Sequence, residues 1–132
     1  MTALVLELRQ GDLMILNGTP IRFRTKSRIE LTEKANFLFG KQILRPDDAN
    51  SPARRIYFAF QTVYIGTDAE RAVALETAQS LIDEFKAATT SNLAREIVDT
   101  AMACASSGRY YDALKLARRI MNHEAAVLYA NQ

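Results

Sequence analysis

Hydrophobic positions alternate with polar ones in the first part of the chain and recur at helical spacing after residue 50. In "ALVLELRQGDLMILNGTPIRF", Leu4, Leu6 and Leu8 alternate with Val5, Glu7 and Arg9, the period of two expected of a strand with one buried face. Gly11-Asp12 turns the chain into "LMIL". Asn17-Gly18, a pair suited to a two-residue turn, then predicts a hairpin. Ile21 and Phe23 oppose Arg22 and Arg24, and Ile29 and Leu31 oppose Arg28 and Glu30. A further short strand, "KQIL", is expected after Gly40. Four or five short strands joined by close turns predict a small antiparallel sheet.

From Ser51 the period is helical. Ser51 suits the N-cap, and Pro52 suits the first helical position, where its missing N–H costs nothing. Ile56, Phe60 and Val63 share a face that ends at Gly66, and Thr67-x-x-Glu70 matches a capping box. Behind it Ala74, Ala78, Leu81, Ile82 and Phe85 repeat as one stripe. Ser91 opens a third helix with Leu93, Ile97, Ala101 and Cys104, stopped by "SSG". The last helix, "RYYDALKLARRIM", aligns Tyr110, Leu114, Ala117 and Met121. The fold class expected is α+β: a small N-terminal antiparallel β-sheet followed by about four α-helices. No linker separates the β-rich part (1–50) from the helical part (51–132), so a single domain spanning 1–132 is expected.

Charge sharpens this picture. The net charge is only +2, which by itself argues for no nucleic acid. Its distribution is uneven: residues 1–55 hold ten Lys/Arg against six acids, leaving seven against nine for residues 56–132. A basic front and a mildly acidic back suggest two working surfaces. The lone Cys104 excludes an intramolecular disulfide and fits a reducing compartment. With no signal-peptide pattern and no apolar run near the roughly 20 residues of a membrane span, a cytoplasmic protein without a membrane partner is expected.

Catalytic constellations are missing from the sequence. His123 is the only histidine and has no second His or Cys cluster to join it as base or metal ligand, so it reads as a helix-end surface residue. Cys104 sits on an apolar stripe and reads as a core thiol. Asp47-Asp48 lack a third ligand and read as part of a turn after Pro46. No Walker loop or GxGxxG occurs. A non-enzyme with no cofactor and no metal is expected.

What remains is arginine. In "RFRTKSR", Arg22 and Arg24 lie two residues apart on one strand and emerge on the same face about 6.6 Å apart. Lys26 is placed in a turn, with Arg28 beginning a return strand. Such a face could hold phosphates or stack guanidinium planes on unpaired bases; a solvated sheet face is the alternative. Arg54 and Arg55 stand in the first turn of a helix, where the macrodipole disfavours cations. Asp47 and Asp48 could offset this locally, or the pair could serve a ligand together with Arg45 where sheet passes to helices.

"LELRQGDLMILNGTPIR" and "ILRPDDANSPARRIYFAFQ" resemble the FlbT family of bacterial flagellin-synthesis repressors, over nearly the whole chain and most specifically in "PARRIYFA". The resemblance implies a post-transcriptional regulator acting on the 5′ untranslated region of flagellin mRNA, usually shortening its life and in some relatives promoting expression. "LVLELRQGDLMI" is also similar to the first strands of the CsrA family of dimeric mRNA-binding proteins. That similarity implies homodimerisation, makes Arg9 a first-strand RNA contact and places Arg45, before Asp47-Asp48, at the end of a fifth strand, with Pro46 as a departure from the pattern. The RNA-binding candidates are therefore Arg9, Arg22, Arg24, Arg28, Arg45, Arg54 and Arg55, with the flagellin mRNA leader as partner and no DNA. The competing reading is an adaptor or chaperone whose helices bind flagellin or a companion flagellar regulator protein.

Overall fold

The computed structural model describes residues 4–33 and 35–130. It divides into two compact units, residues 1–43 and 44–132, and has the α+β order expected: five strands, then four helices.

The first unit contains β1 (Leu4–Leu8), β2 (Leu13–Leu16), β3 (Thr19–Arg22), β4 (Ser27–Leu31) and β5 (Phe37–Phe39). They form two antiparallel sheets, a two-stranded β1–β4 sheet and a three-stranded sheet in the order β3–β2–β5. Asn17 and Gly18 both adopt positive φ, +48° and +83°, and join β2 to β3 with Leu16 opposite Thr19. That twist suits the right-handed twist of the flanking strands. Side chains from both sheets form one apolar cluster: Leu6, Leu8 and Met14 are buried, with Ile21, Phe23, Ile29, Leu31, Phe37 and Phe39 packed around them. Ile15 and Leu38, paired across β2 and β5, are also buried.

Two strand expectations are corrected. "RFRTKSR" is not a hairpin: β3 pairs with β2 and β4 with β1, so residues 23–26 carry the chain from one sheet to the other. Backbone bonds from Gly11 N–H to the Phe23 carbonyl (2.6 Å) and from Phe23 N–H to the Asp12 carbonyl (2.9 Å) continue the β2–β3 contact and keep β3 with β2. "KQIL" is not a strand either. Gly40, at φ +58°, ends β5 and begins a single 3-10 turn over Gly40–Gln42, and the Gln42 amide oxygen accepts the Phe39 N–H at 3.1 Å.

The second unit begins at Leu44, whose N–H donates to Gln61 Oε1 (2.8 Å) and whose carbonyl accepts from Gln61 Nε2 (2.9 Å). Both ends of this buried amide are thereby satisfied, as a buried polar group requires. A 3-10 turn, Pro46–Asp48, precedes α1 (Pro52–Ile65), α2 (Asp68–Ala88), α3 (Asn92–Ser106) and α4 (Tyr110–Ala130). Local signals set these ends. Ser51 Oγ accepts from Arg54 N–H, and Thr67 and Glu70 exchange both capping-box bonds, at 3.2 and 3.0 Å. Gly66 allows a close approach, since a Cβ there would stand 2.6 Å from the Thr62 carbonyl oxygen.

The α1 stripe Ile56, Phe60 and Val63 is fully buried, as are Ala78 and Ile82 of α2, Val98 of α3 and Ala113, Ala117 and Ile120 of α4. Frequent alanine at these positions lets the helices approach closely: α1 lies against α2 and α4, and α3 against α4 and α2. Cys104 is a buried thiol of this core. Leu93 departs from the expected stripe and is exposed, because the buried face of α3 is centred on Ala94, Ile97, Val98 and Ala101. His123 is half-buried and lies seven residues before the end of α4 rather than at its end. No helix among the described residues is long and apolar enough to cross a membrane.

Candidate nucleic-acid interface

Four of the seven candidate arginines lie in the strand unit, and its hydrogen bonds draw them to one end of it. Arg9 begins a turn in which its N–H donates to Asp12 Oδ2 (2.8 Å) and its carbonyl accepts the Asp12 N–H (3.1 Å). Through Gly11 and Asp12 the same turn is bonded to Phe23, whose chain neighbours are Arg22 and Arg24. With Phe23 in the apolar cluster, both neighbours are exposed. Arg28 stands opposite Glu7 in the β1–β4 register, and Ser27 opposite Leu8, which brings Arg9 and Lys26 to the same end. Glu7, Arg9, Asp12, Arg22, Arg24, Lys26 and Arg28 thus make a surface of five cations and two carboxylates, net +3. The arginines there have no ion-pair partner within 4.0 Å among the described residues. Such cations are available to phosphate at little desolvation cost.

Arg45, Arg54 and Arg55 belong to the helical unit and are exposed. Arg45 does not end a fifth strand. It precedes the Pro46–Asp48 turn, and its carbonyl accepts the Asp48 N–H. Arg54 folds back over that turn, its Nη1 donating to Asn50 Oδ1 (3.1 Å) and the Asp48 carbonyl (3.4 Å). Both acceptors are neutral, so Arg54 is held by this turn without an ion pair to Asp47 or Asp48.

The carboxylate at the start of α1 is that of Glu124, a residue the sequence reading passed over. From α4 its carboxylate accepts from the Ser51 hydroxyl and, at 3.0 Å, from the Ala53 N–H. A full negative charge therefore sits on the orphan donors at the positive end of α1. Its separation from Ser51 in sequence, 73 residues, hides it from any local motif.

Tyrosines and cations of the helical unit form a second group that periodicity alone did not reveal. Arg71 lies over the Tyr110 ring (4.7 Å), Arg118 over Tyr57 (5.4 Å) and Lys115 over Tyr111 (5.6 Å). Tyr64 and Tyr111 are tilted against each other with centroids 5.3 Å apart. Burial raises the Tyr57 phenol above its ordinary value, and the hydrogen bond from Arg118 partly opposes this. Asp112 is held below its usual range, chiefly by its hydrogen bond to Arg109. The signal for this group was "RYYDALKLARR" read for charge as well as for apolar spacing.

Two grooves, each about 680 Å³, open on the helical unit. One is lined by Phe58, Ala59, Val73 and Leu81, with Arg55 and Glu70 among its polar residues. The other is lined by Phe85, Ala88, His123, Val127 and Leu128 and shares Arg55 and Leu81 with the first. No group of three or more His, Cys, Asp or Glu side chains suited to a metal ion occurs among the described residues.

Residues 4–128 match the family described as the flagellar protein FlbT. The chain belongs to the FlbT family. Relatives named "Probable flagellum biosynthesis repressor protein FlbT" from Brucella ovis and Brucella suis are 33% identical to it over 132 residues, covering 98% of this chain and 84% of the relative. A relative of the same name from Brucella anthropi is 33% identical over 129 residues, covering 96% and 82%. No solved structure matches this chain. The FlbT match takes in both units, so neither the cationic strand end nor the helices can be set aside as an unrelated attachment.

Proposed function

We propose that this FlbT-family chain is a cytoplasmic post-transcriptional regulator of flagellin synthesis that binds the 5′ untranslated region of flagellin mRNA and lowers its stability or translation. The observation that carries the reading is the net +3 end of the strand unit, where Arg9, Arg22, Arg24, Lys26 and Arg28 meet solvent. Exposed cations of this kind suit backbone contacts to a single-stranded leader, whose bases remain open to stacking. Arg45, Arg54 and Arg55 add cations from the helical unit. The printed name of the Brucella relatives, a flagellum biosynthesis repressor, supplies the process. No step of this activity calls for catalysis.

A second reading, an adaptor for flagellin or a companion flagellar regulator protein, is favoured by the apolar grooves and by the exposure of Val73, Val127 and Leu128. A second copy of the chain is a further partner, since the two-stranded β1–β4 sheet leaves strand edges beside exposed Leu4 and Val5. Crosslinking in cells, with sequencing of bound RNA and identification of bound protein, tests these readings together. Recovery of the flagellin leader is expected; recovery of protein partners alone would overturn RNA binding in favour of the adaptor.

A further inference from the structure

We propose that β4 is a dimerisation edge: two copies of this chain pair antiparallel about Ile29, with Arg28 of each copy facing Glu30 of the other. The inference rests on the second-copy reading above, to which it gives a strand and a register, and does not depend on RNA binding. β4 pairs with β1 on one side, and no strand among the described residues pairs with it on the other. A strand edge of this kind offers its N–H and C=O groups to another chain. The apolar face of β4 is also incompletely covered. Ile29 is only half-buried although Leu6, opposite it on β1, is buried, and Leu31 is half-buried too. A strand laid beside β4 would cover more of both.

Charge selects both the strand and the register. About a two-fold axis at Ile29, Ser27 faces Leu31, Arg28 faces Glu30 and Ile29 faces its own copy. Directly opposite residues share a face of the sheet, so each charged position of β4 meets the opposite sign, twice per dimer. Centring the pairing on Arg28 or on Glu30 instead sets like charges against each other. Arg28 and Glu30 are exposed and make no ion pair among the described residues, although Glu7 stands opposite Arg28 on β1. The other edges are less suited. β3 carries Pro20, which has no N–H to donate, and β5 has three residues before Gly40 turns the chain. Self-pairing of β1 offers no cation to Glu7, its one charge. In the β4 dimer Arg28 is held by Glu30 of the second copy, so Arg9, Arg22, Arg24 and Lys26 carry the phosphate contacts. The seam has five residues per copy, and association is expected to depend on concentration.

The test is sedimentation velocity of the intact chain over a wide range of concentration, with far-UV circular dichroism to confirm folding. The wild type should pass from monomer to dimer as concentration rises. Arg28→Glu and Glu30→Arg, each alone, put two like-charge pairs in the seam and should weaken self-association at least about fivefold. Mixed in equal amounts, the two variants restore both opposite-charge pairs and should form a heterodimer about as stable as the wild-type dimer. Glu30→Arg, which faces Val5 on β1, decides the matter if Arg28→Glu unfolds beside Glu7. A wild-type dimer left unchanged by the folded single variants, or a mixture that fails to recover association, would overturn the β4 seam alone. A wild type that stays monomeric throughout would overturn the second-copy reading with it.

Discussion

The two units solve folding in opposite ways, and the contrast separates where stability resides from where charge is displayed. The strand unit has short strands in two small sheets, and most members of its apolar cluster are only partly buried. The helical unit packs four helices, three of them capped by Ser51, Thr67 and Ser91, over fully buried Ile56, Phe60, Val63, Ile82, Val98 and Ile120. Arg9, Arg22, Arg24 and Arg28 of the first make no ion pair among the described residues, whereas the second pairs Arg71 with Asp68, Lys86 with Asp99 and Arg109 with Asp112. Exposed pairs of this kind contribute little to stability. Their effect is to hold those cations against acids, whereas the strand-unit arginines stay exposed to a polyanion.

Phe60→Ala should break the contrast most severely. Loss of a fully buried ring from the α1 stripe is expected to destabilise the helical unit by about 3–5 kcal/mol, read from denaturant unfolding followed by far-UV circular dichroism. Next comes Glu124→Ala, which strips an acceptor from Ser51 and Ala53 and should cost about 1–2 kcal/mol, comparable to loss of a strong N-cap. Arg55→Ala should go the other way. It removes a cation from the positive end of α1 and is expected to stabilise the fold by about 0.3–1 kcal/mol while weakening RNA binding. A stability loss in that variant would show that Arg55 is there to hold the fold rather than a ligand.

Acidification gives the smallest effect. Glu70 is fully exposed, and its carboxyl is held below its ordinary value of 4.5, first by accepting the Thr67 backbone N–H. Because the folded-state value is depressed, its contribution is present above pH 4.5 and is lost as pH falls through the lower folded value. Glu70→Gln should therefore lower helical stability slightly at neutral pH and flatten the acid limb below pH 4.5, where the two proteins converge.

What could be read from the sequence was local. Ser51-Pro52, Thr67-x-x-Glu70, Ser91 and Asn17-Gly18 each encode their geometry within four residues, and each sits where the pattern placed it. The misses are long-range or depend on a competing local choice. Strand partnership between β1 and β4 depends on residues some twenty positions apart, and proximity in sequence wrongly favoured joining β3 to β4. "KQIL" has the composition of a strand, but the positive φ of Gly40 and the Gln42 side-chain bond made a 3-10 turn instead. For the candidate site, the exposure of Arg9, Arg22, Arg24 and Arg28 followed from alternation with apolar residues. Glu124 at Ser51 and Ala53, and the packing of Tyr64 against Tyr111, required the folded chain.

Whether the strand-unit arginines bind RNA through phosphate is decided by one titration. Affinity for the flagellin leader is measured across a tenfold range of salt for the wild type and for Arg22→Ala with Arg24→Ala. Removal of two single-strand phosphate contacts should reduce the slope of log affinity against log salt by about 1.4, with thermal stability changed little. An unchanged slope at unchanged affinity would contradict the claim.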